Sequence, residues 1–135
     1  MSRRAFTLME LLFVIVIIGI LVAIALPGFA RTTERAQQRQ AWDMLQTIYA
    51  AEQVFFSVNN KYSGTWSDPA NPDLGDYMDD PNTAQTTYTL TSADLFATTF
   101  TAQATRNGGQ CGGTTMTINQ ARTMGGAWLN CPMPL

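Results

Sequence analysis

Between Phe6 and Phe29 the chain carries a single charge, Glu10, and from Leu11 to Leu26 every residue is apolar apart from the small Gly19. Water is a poor solvent for such a run. As a helix, residues 6–29 would extend about 36 Å, enough to cross a hydrocarbon layer of roughly 30 Å. The β-branched stretch Val14-Ile15-Val16-Ile17-Ile18 is a weak helix former in water, but in lipid the backbone has no partner except itself and the helix prevails. Arg3 and Arg4 precede the run, so the positive-inside tendency keeps that end cytoplasmic and delivers everything after Phe29 outside. A membrane segment over 6–29 leaves 30–135 for one small head.

That arrangement bounds the chemistry. The formal net charge is −2, and loss of an N-terminal leader containing Arg3 and Arg4 would make the remainder more acidic. Charge therefore disfavours nucleic acid as a partner. The chain has no histidine and two cysteines, so it assembles neither a His/Cys metal set nor a His-based triad. No enzyme, cofactor or metal is expected. Behind an export-type N-terminus, Cys111 and Cys131 read as one disulfide formed outside the cytoplasm rather than as a metal pair. Closing the 111–131 loop would stabilise a small head by about 3 kcal/mol and pin the C-terminal region to it.

From Arg31 to Asn59 the apolar residues Ala41, Met44, Leu45, Ile48, Ala51, Phe55 and Val58 recur at three- and four-residue steps, the pattern of an amphipathic helix. Trp42, Tyr49 and Phe56 broaden its buried face, while Arg31, Glu34, Arg35, Gln38 and Arg39 keep its first turns wet. Asn59, Asn60 and Gly64 end the helix, and a surface loop over 60–86 follows, rich in proline, aromatic residues and aspartate. Asp68, Asp73, Asp76, Asp79 and Asp80 are candidate Ca²⁺ ligands, but their spacing departs from the alternating-ligand loop, which favours a solvated acidic loop.

Three segments then alternate large apolar residues with threonine or small ones: 88–91, 96–104 and 114–118. They predict an antiparallel sheet within 87–118, with Arg106-Asn107-Gly108-Gly109 as the turn between the second and third strands. Tyr88, Leu90, Phe96, Phe100, Met116 and Ile118 would face the helix, and residues 119–135 read as irregular. The fold class is α+β: a long N-terminal helix, membrane half plus amphipathic half, packed on a sheet of three to four strands.

The N-terminal string Arg3-Arg4-Ala5-Phe6-Thr7-Leu8-Met9-Glu10-Leu11-Leu12, with the apolar run to Pro27 behind it, closely resembles the N-terminus of the type IV pilin family. The resemblance implies a leader over 1–5, cut between Ala5 and Phe6 by a membrane peptidase that also N-methylates Phe6. It further implies an inner-membrane precursor with its head in the periplasm, an assembly platform, and a filament built with other copies and other pilins. Ala5 stands where the family usually has glycine; alanine is still small, which predicts slower cleavage rather than none. Adhesion and motility are among the family's roles.

Glu10 has a physical case of its own. A carboxylate in apolar surroundings is costly unless neutralised or paired, and the Phe6 ammonium of this or a neighbouring copy is the nearest cation. Such pairing would set subunit register; the plainer alternative places Glu10 at the lipid headgroups. Pro27 lacks a donor and clashes with the preceding turn, and Gly19 weakens the helix, so the stretch between them is expected to kink or to melt in a filament. Two other readings compete: a pseudopilin of a type II secretion system, with the same N-terminus, and a secreted protein whose Ser2-Arg3-Arg4 signal is cut after Ala23-Ile24-Ala25.

Overall fold

The computed structural model describes residues 6–66, 72–83, 87–93 and 98–131; inside the long helix, the side chains of 25–28 and 30 lie outside the described set, as do those of Ser92 and Ala93 in the first strand. Arg3, Arg4, Ala5, Asp68 and Phe96 are therefore also outside it.

One helix, α1, runs unbroken over Leu8–Asn59 and joins the two expected halves. Thr7 starts it: the residue is extended (φ −82°, ψ 148°), and its hydroxyl accepts the Glu10 N–H at 3.3 Å, satisfying one of the first-turn amides that have no intrahelical partner. Asn60 stops it in the left-handed conformation, φ 54°, with its N–H donated to the Phe56 carbonyl at 2.8 Å.

Four antiparallel strands in chain order pack on the second half of that helix: β1 Tyr88–Ala93, β2 Thr101–Arg106, β3 Thr115–Asn119 and β4 Met124–Gly125. Register sets Leu90 opposite Ala104, Ala104 opposite Met116, and Ile118 opposite Met124. With a side-chain period of two, Ala102 and Ala104 of β2 and Met116 and Ile118 of β3 turn inward while their threonine and glutamine neighbours stay outside. They meet Ala41, Leu45 and Ile48 of α1, and Phe100, Tyr88 and Trp128 close the core. Small residues on β2 let helix and sheet approach closely.

The β1 edge is covered in an economical way. Asn82, in the 3₁₀ turn Pro81–Thr83, accepts the Leu90 N–H at 2.7 Å and donates its amide to the Leu90 carbonyl at 2.9 Å, standing in for a strand neighbour. A second 3₁₀ turn, Leu74–Asp76, buries Leu74 against Ala51 and Phe55.

The structure corrects several sequence expectations. β2 begins at Thr101, because Thr98 and Thr99 lie exposed outside the ladder. The β2–β3 connection is a long loop over 107–114 that carries Cys111, and Arg106 ends the strand before it. The segment expected to be irregular over 119–135 holds regular structure within its described part, 119–131: β4 and a 3₁₀ turn, Ala127–Asn130. Gly126 between them has φ 105°, and a Cβ there would overlap the Thr115 carbonyl, so the close return onto β3 requires glycine. Val58 is exposed, since the stripe drifts round the helix and Tyr62 stacks on Phe56 in its place. Trp42 lies at the edge of the buried face and remains exposed. Glu34 is not wet but buried.

Candidate assembly site

Every large apolar side chain from Phe6 to Ile24 is solvent-exposed, at 43% or more of its surface. A helix apolar on all sides is not a stable object in water and must be covered by lipid or by other helices. The described side chains of this run span only about 25 Å at helical rise, and among the described residues no helix is long and apolar enough to cross a membrane.

At the start of this sleeve sit the two groups the sequence singled out. Phe6 is exposed and lies just outside the helix; Glu10 is in its first turn. Four positions separate them in the chain, with the extended Thr7 between Phe6 and the helix. Thr7-x-x-Glu10 has the spacing of a capping box, in which the glutamate would reach back to the Thr7 N–H. Only the threonine half forms. Among the described residues the Glu10 carboxylate has no hydrogen-bond or ion-pair partner. It is an unpaired anion at the rim of an apolar surface, favoured there by the helix dipole and open to a cation from elsewhere. Gly19 has open space around it, and the backbone stays helical through Pro27.

The head is organised around a different carboxylate. Glu34 accepts Arg106 Nε–H at 3.0 Å on Oε1 and Nη2–H at 3.1 Å on Oε2, the two-pronged geometry that suits guanidinium. Trp128, fully buried, donates its indole N–H to Glu34 Oε1 at 3.1 Å, and Arg106 Nη1 donates to the Thr87 carbonyl at 2.6 Å. Gln38, one turn on, donates to the Trp128 carbonyl. The hydrogen bonds from Arg106 hold the Glu34 carboxyl below its ordinary value of 4.5, outweighing the opposing effect of burial, with the Trp128 hydrogen bond adding to them. Burial pushes the Tyr88 phenol up. Cys111 and Cys131 form a disulfide that ties the Trp128 turn to the loop after Arg106. Helix, β2 and C-terminal turn thus meet at one carboxylate. A second buried glutamate, Glu52, accepts the Ser63 N–H at 3.0 Å and holds the chain as it leaves the helix.

Sequence reasoning missed this network, though a signal existed. Positions 34, 38, 41, 45, 48, 52 and 55 follow one four-and-three stripe, so Glu34, Gln38 and Glu52 lie in phase with Ala41, Leu45, Ile48 and Phe55.

Of the acidic loop, Asp73 accepts the Gly75 N–H at 2.8 Å and Asp80 the Asn82 N–H at 2.9 Å, so both serve turns. No cluster of three or more metal-ligating side chains occurs among the described residues.

Residues 27–117 match a family model described as type IV minor pilin ComP, DNA uptake sequence receptor, and residues 1–26 match the prokaryotic N-terminal methylation motif. The chain is 36% identical over 120 residues to the type IV narrow pilus major component PilA5 of Thermus thermophilus, covering 88% of this chain and 97% of that protein. It is 47% identical over 61 residues to the type IV major pilin PilA of Myxococcus xanthus, covering 45% of this chain but only 28% of that longer protein. A type II secretion system core protein G of Pectobacterium carotovorum is 32% identical over 63 residues, 47% of this chain and 40% of that protein. No solved structure matches. An unbroken helix with an apolar first half and a strand meander packed on its second half, matched along nearly its whole length, belongs to the type IV pilin family.

Proposed function

We propose that the chain is a structural subunit of a type IV pilus-like filament. It enters the inner membrane as a single-pass precursor through 6–29, with the head, 30–135, in the periplasm. A prepilin peptidase removes 1–5 between Ala5 and Phe6 and methylates the Phe6 amine, and an assembly platform moves the subunit into an extracellular filament. The observation that carries this reading is the apolar sleeve over Phe6–Ile24, exposed on all sides and bearing one carboxylate, Glu10, that has no partner among the described residues. Side-by-side packing of such sleeves covers the apolar surface, and the Phe6 ammonium of one copy neutralises Glu10 of the next, fixing the axial step. Gly19 and Pro27 mark where the sleeve bends or loosens in the packed state.

A pseudopilin is the second reading, favoured by the secretion-system relative. The pilus reading ranks above it because the narrow-pilus relative aligns along nearly the full length of both chains, head included, whereas the secretion relative aligns over about half of this one. A role in DNA uptake, named in the description of the matched family model, runs against the acidic balance of the head.

Glu10→Ala tests the reading. The expected outcome is normal membrane insertion and cleavage, with filaments in the sheared surface fraction reduced at least tenfold. Normal filament yield would contradict charge pairing at this site.

A further inference from the structure

The head carries charge on two opposite flanks. Arg35, Arg39 and Trp42 share one face of α1 at steps of four and three, all exposed, and neither arginine has an ion-pair or hydrogen-bond partner among the described residues. Beside them opens a cleft of about 130 Å³ lined by Gln38, Arg39, Trp42, Met116 and Leu129. Trp42 and Leu129, exposed by 36% and 38%, form an apolar floor beside the basic Arg39.

On the other flank of the buried stripe, next to Ala51 and Val54, the 3₁₀ turn Leu74–Asp76 presents the reverse. Asp76 and Asp79 are exposed and unpartnered among the described residues, and between them stands Tyr77, 38% exposed, its ring set edge-on against Phe55 at 5.7 Å. One flank thus presents a partly exposed tyrosine with an exposed aspartate on either side of it in the chain. The other is an aromatic-floored cleft bordered by Arg39, with Arg35 one turn back on the same helix face.

The two patches lie about a dozen residues apart along one rigid helix, roughly 18 Å of rise. They cannot meet within one chain. A second copy shifted along the helix axis brings them together, and because the contact joins unlike surfaces it leaves a free patch at each end and propagates as an open filament rather than closing into a dimer. We propose that, within the filament of the preceding section and resting on that reading, the Asp76-Tyr77-Asp79 turn of one head docks on the Arg35-Arg39 face of a second copy, with Tyr77 entering the cleft beside Trp42. Complementary charge supplies orientation and selects against wrong registers, while the buried aromatics supply the hold.

Charge exchange in the full-length chain, expressed in cells with their own assembly machinery, tests the contact. Arg35→Asp with Arg39→Asp, and separately Asp76→Arg with Asp79→Arg, are expected to lower sheared filament yield at least tenfold. All four together should restore it to within twofold. These side chains are exposed, so thermal melting of the detergent-solubilised subunits should be unchanged. Normal yield in either reversed pair, or no recovery in the combination, would overturn the proposal. Loss of the Arg35→Asp, Arg39→Asp precursor from the membrane fraction would assign the arginines to lipid headgroups and overturn the proposal. In a second measurement, filaments of Arg39→Lys are treated with a zero-length carbodiimide. A cross-link from position 39 to Asp76 or Asp79 of another copy supports the contact; cross-links within one copy only, or none, overturn it. Wild-type filaments built from subunits that start at Phe6 keep the subunit reading intact whichever way the exchange falls, and wild-type cells without filaments would overturn both.

Discussion

At the scale of single residues, two glutamates are asked to do opposite things. Glu10 has no partner within the described chain, so its charge awaits another molecule. Glu34 has its partners inside the head: Arg106 on both oxygens and the Trp128 indole on one. Removing one side of a buried pair leaves the other unmatched. Glu34→Gln should therefore destabilise the head by roughly 3 kcal/mol, measured by thermal or denaturant unfolding; a loss below about 1 kcal/mol, the range of surface pairs, would contradict the network. The same group predicts an acid dependence. Its folded-state carboxyl titrates below the ordinary 4.5 because Arg106 favours the ionised form, so its contribution is fully present above that value and disappears as pH falls through the lower folded value. Unfolding stability should decline below about pH 4.5, and the decline should be shallower in Glu34→Gln. Sequence alone placed Glu34 in water because neighbouring arginines at 31, 35 and 39 made the segment look uniformly polar. Phase with the stripe that starts at Ala41 was the stronger signal.

At the scale of elements, strong periodicity was legible and short pieces were not. The helix from 31 to 59, the alternation in β1 and β3, and the inward faces of Leu90, Met116 and Ile118 all follow from spacing. The two helical halves form one element because no linker separates them, and Pro27 near their junction does not end the helix. β4 has two residues, Met124 and Gly125, too few to show a period; it exists because the chain turns at 120–123 and Gly126 permits the close return. The last described segment is held by two ties, the disulfide and the buried Trp128. A cross-link spanning 20 positions stabilises by about 3 kcal/mol through the unfolded state. Reductant should lower the melting temperature of the detergent-solubilised subunit by on the order of 10 °C. Equal melting with and without reductant would contradict that contribution.

At the scale of the whole molecule, the chain is two surfaces on one rod: a head that buries a core of its own and a sleeve that does not. The head buries Trp128, the Glu34–Arg106 pair and its aromatic cluster. The sleeve leaves Phe6, Leu8 and the residues to Ile24 uncovered. A molecule built this way is complete only in company, first of lipid and then of its own copies. This division was readable from the first thirty residues, because an apolar run with one charge has few fates. The head's outward chemistry, with aspartates on one flank and arginines on the other, was not readable, since it depends on where the sheet turns the loop relative to the helix. The claim on which all of this rests is that the sleeve becomes an assembly surface when Phe6 becomes the first residue. The direct measurement is the mass of the N-terminal peptide of the mature protein from the sheared surface fraction. A peptide that begins at Phe6 and is heavier by one methyl group is the predicted result; a peptide that begins at Met1 or at Leu26 would contradict it.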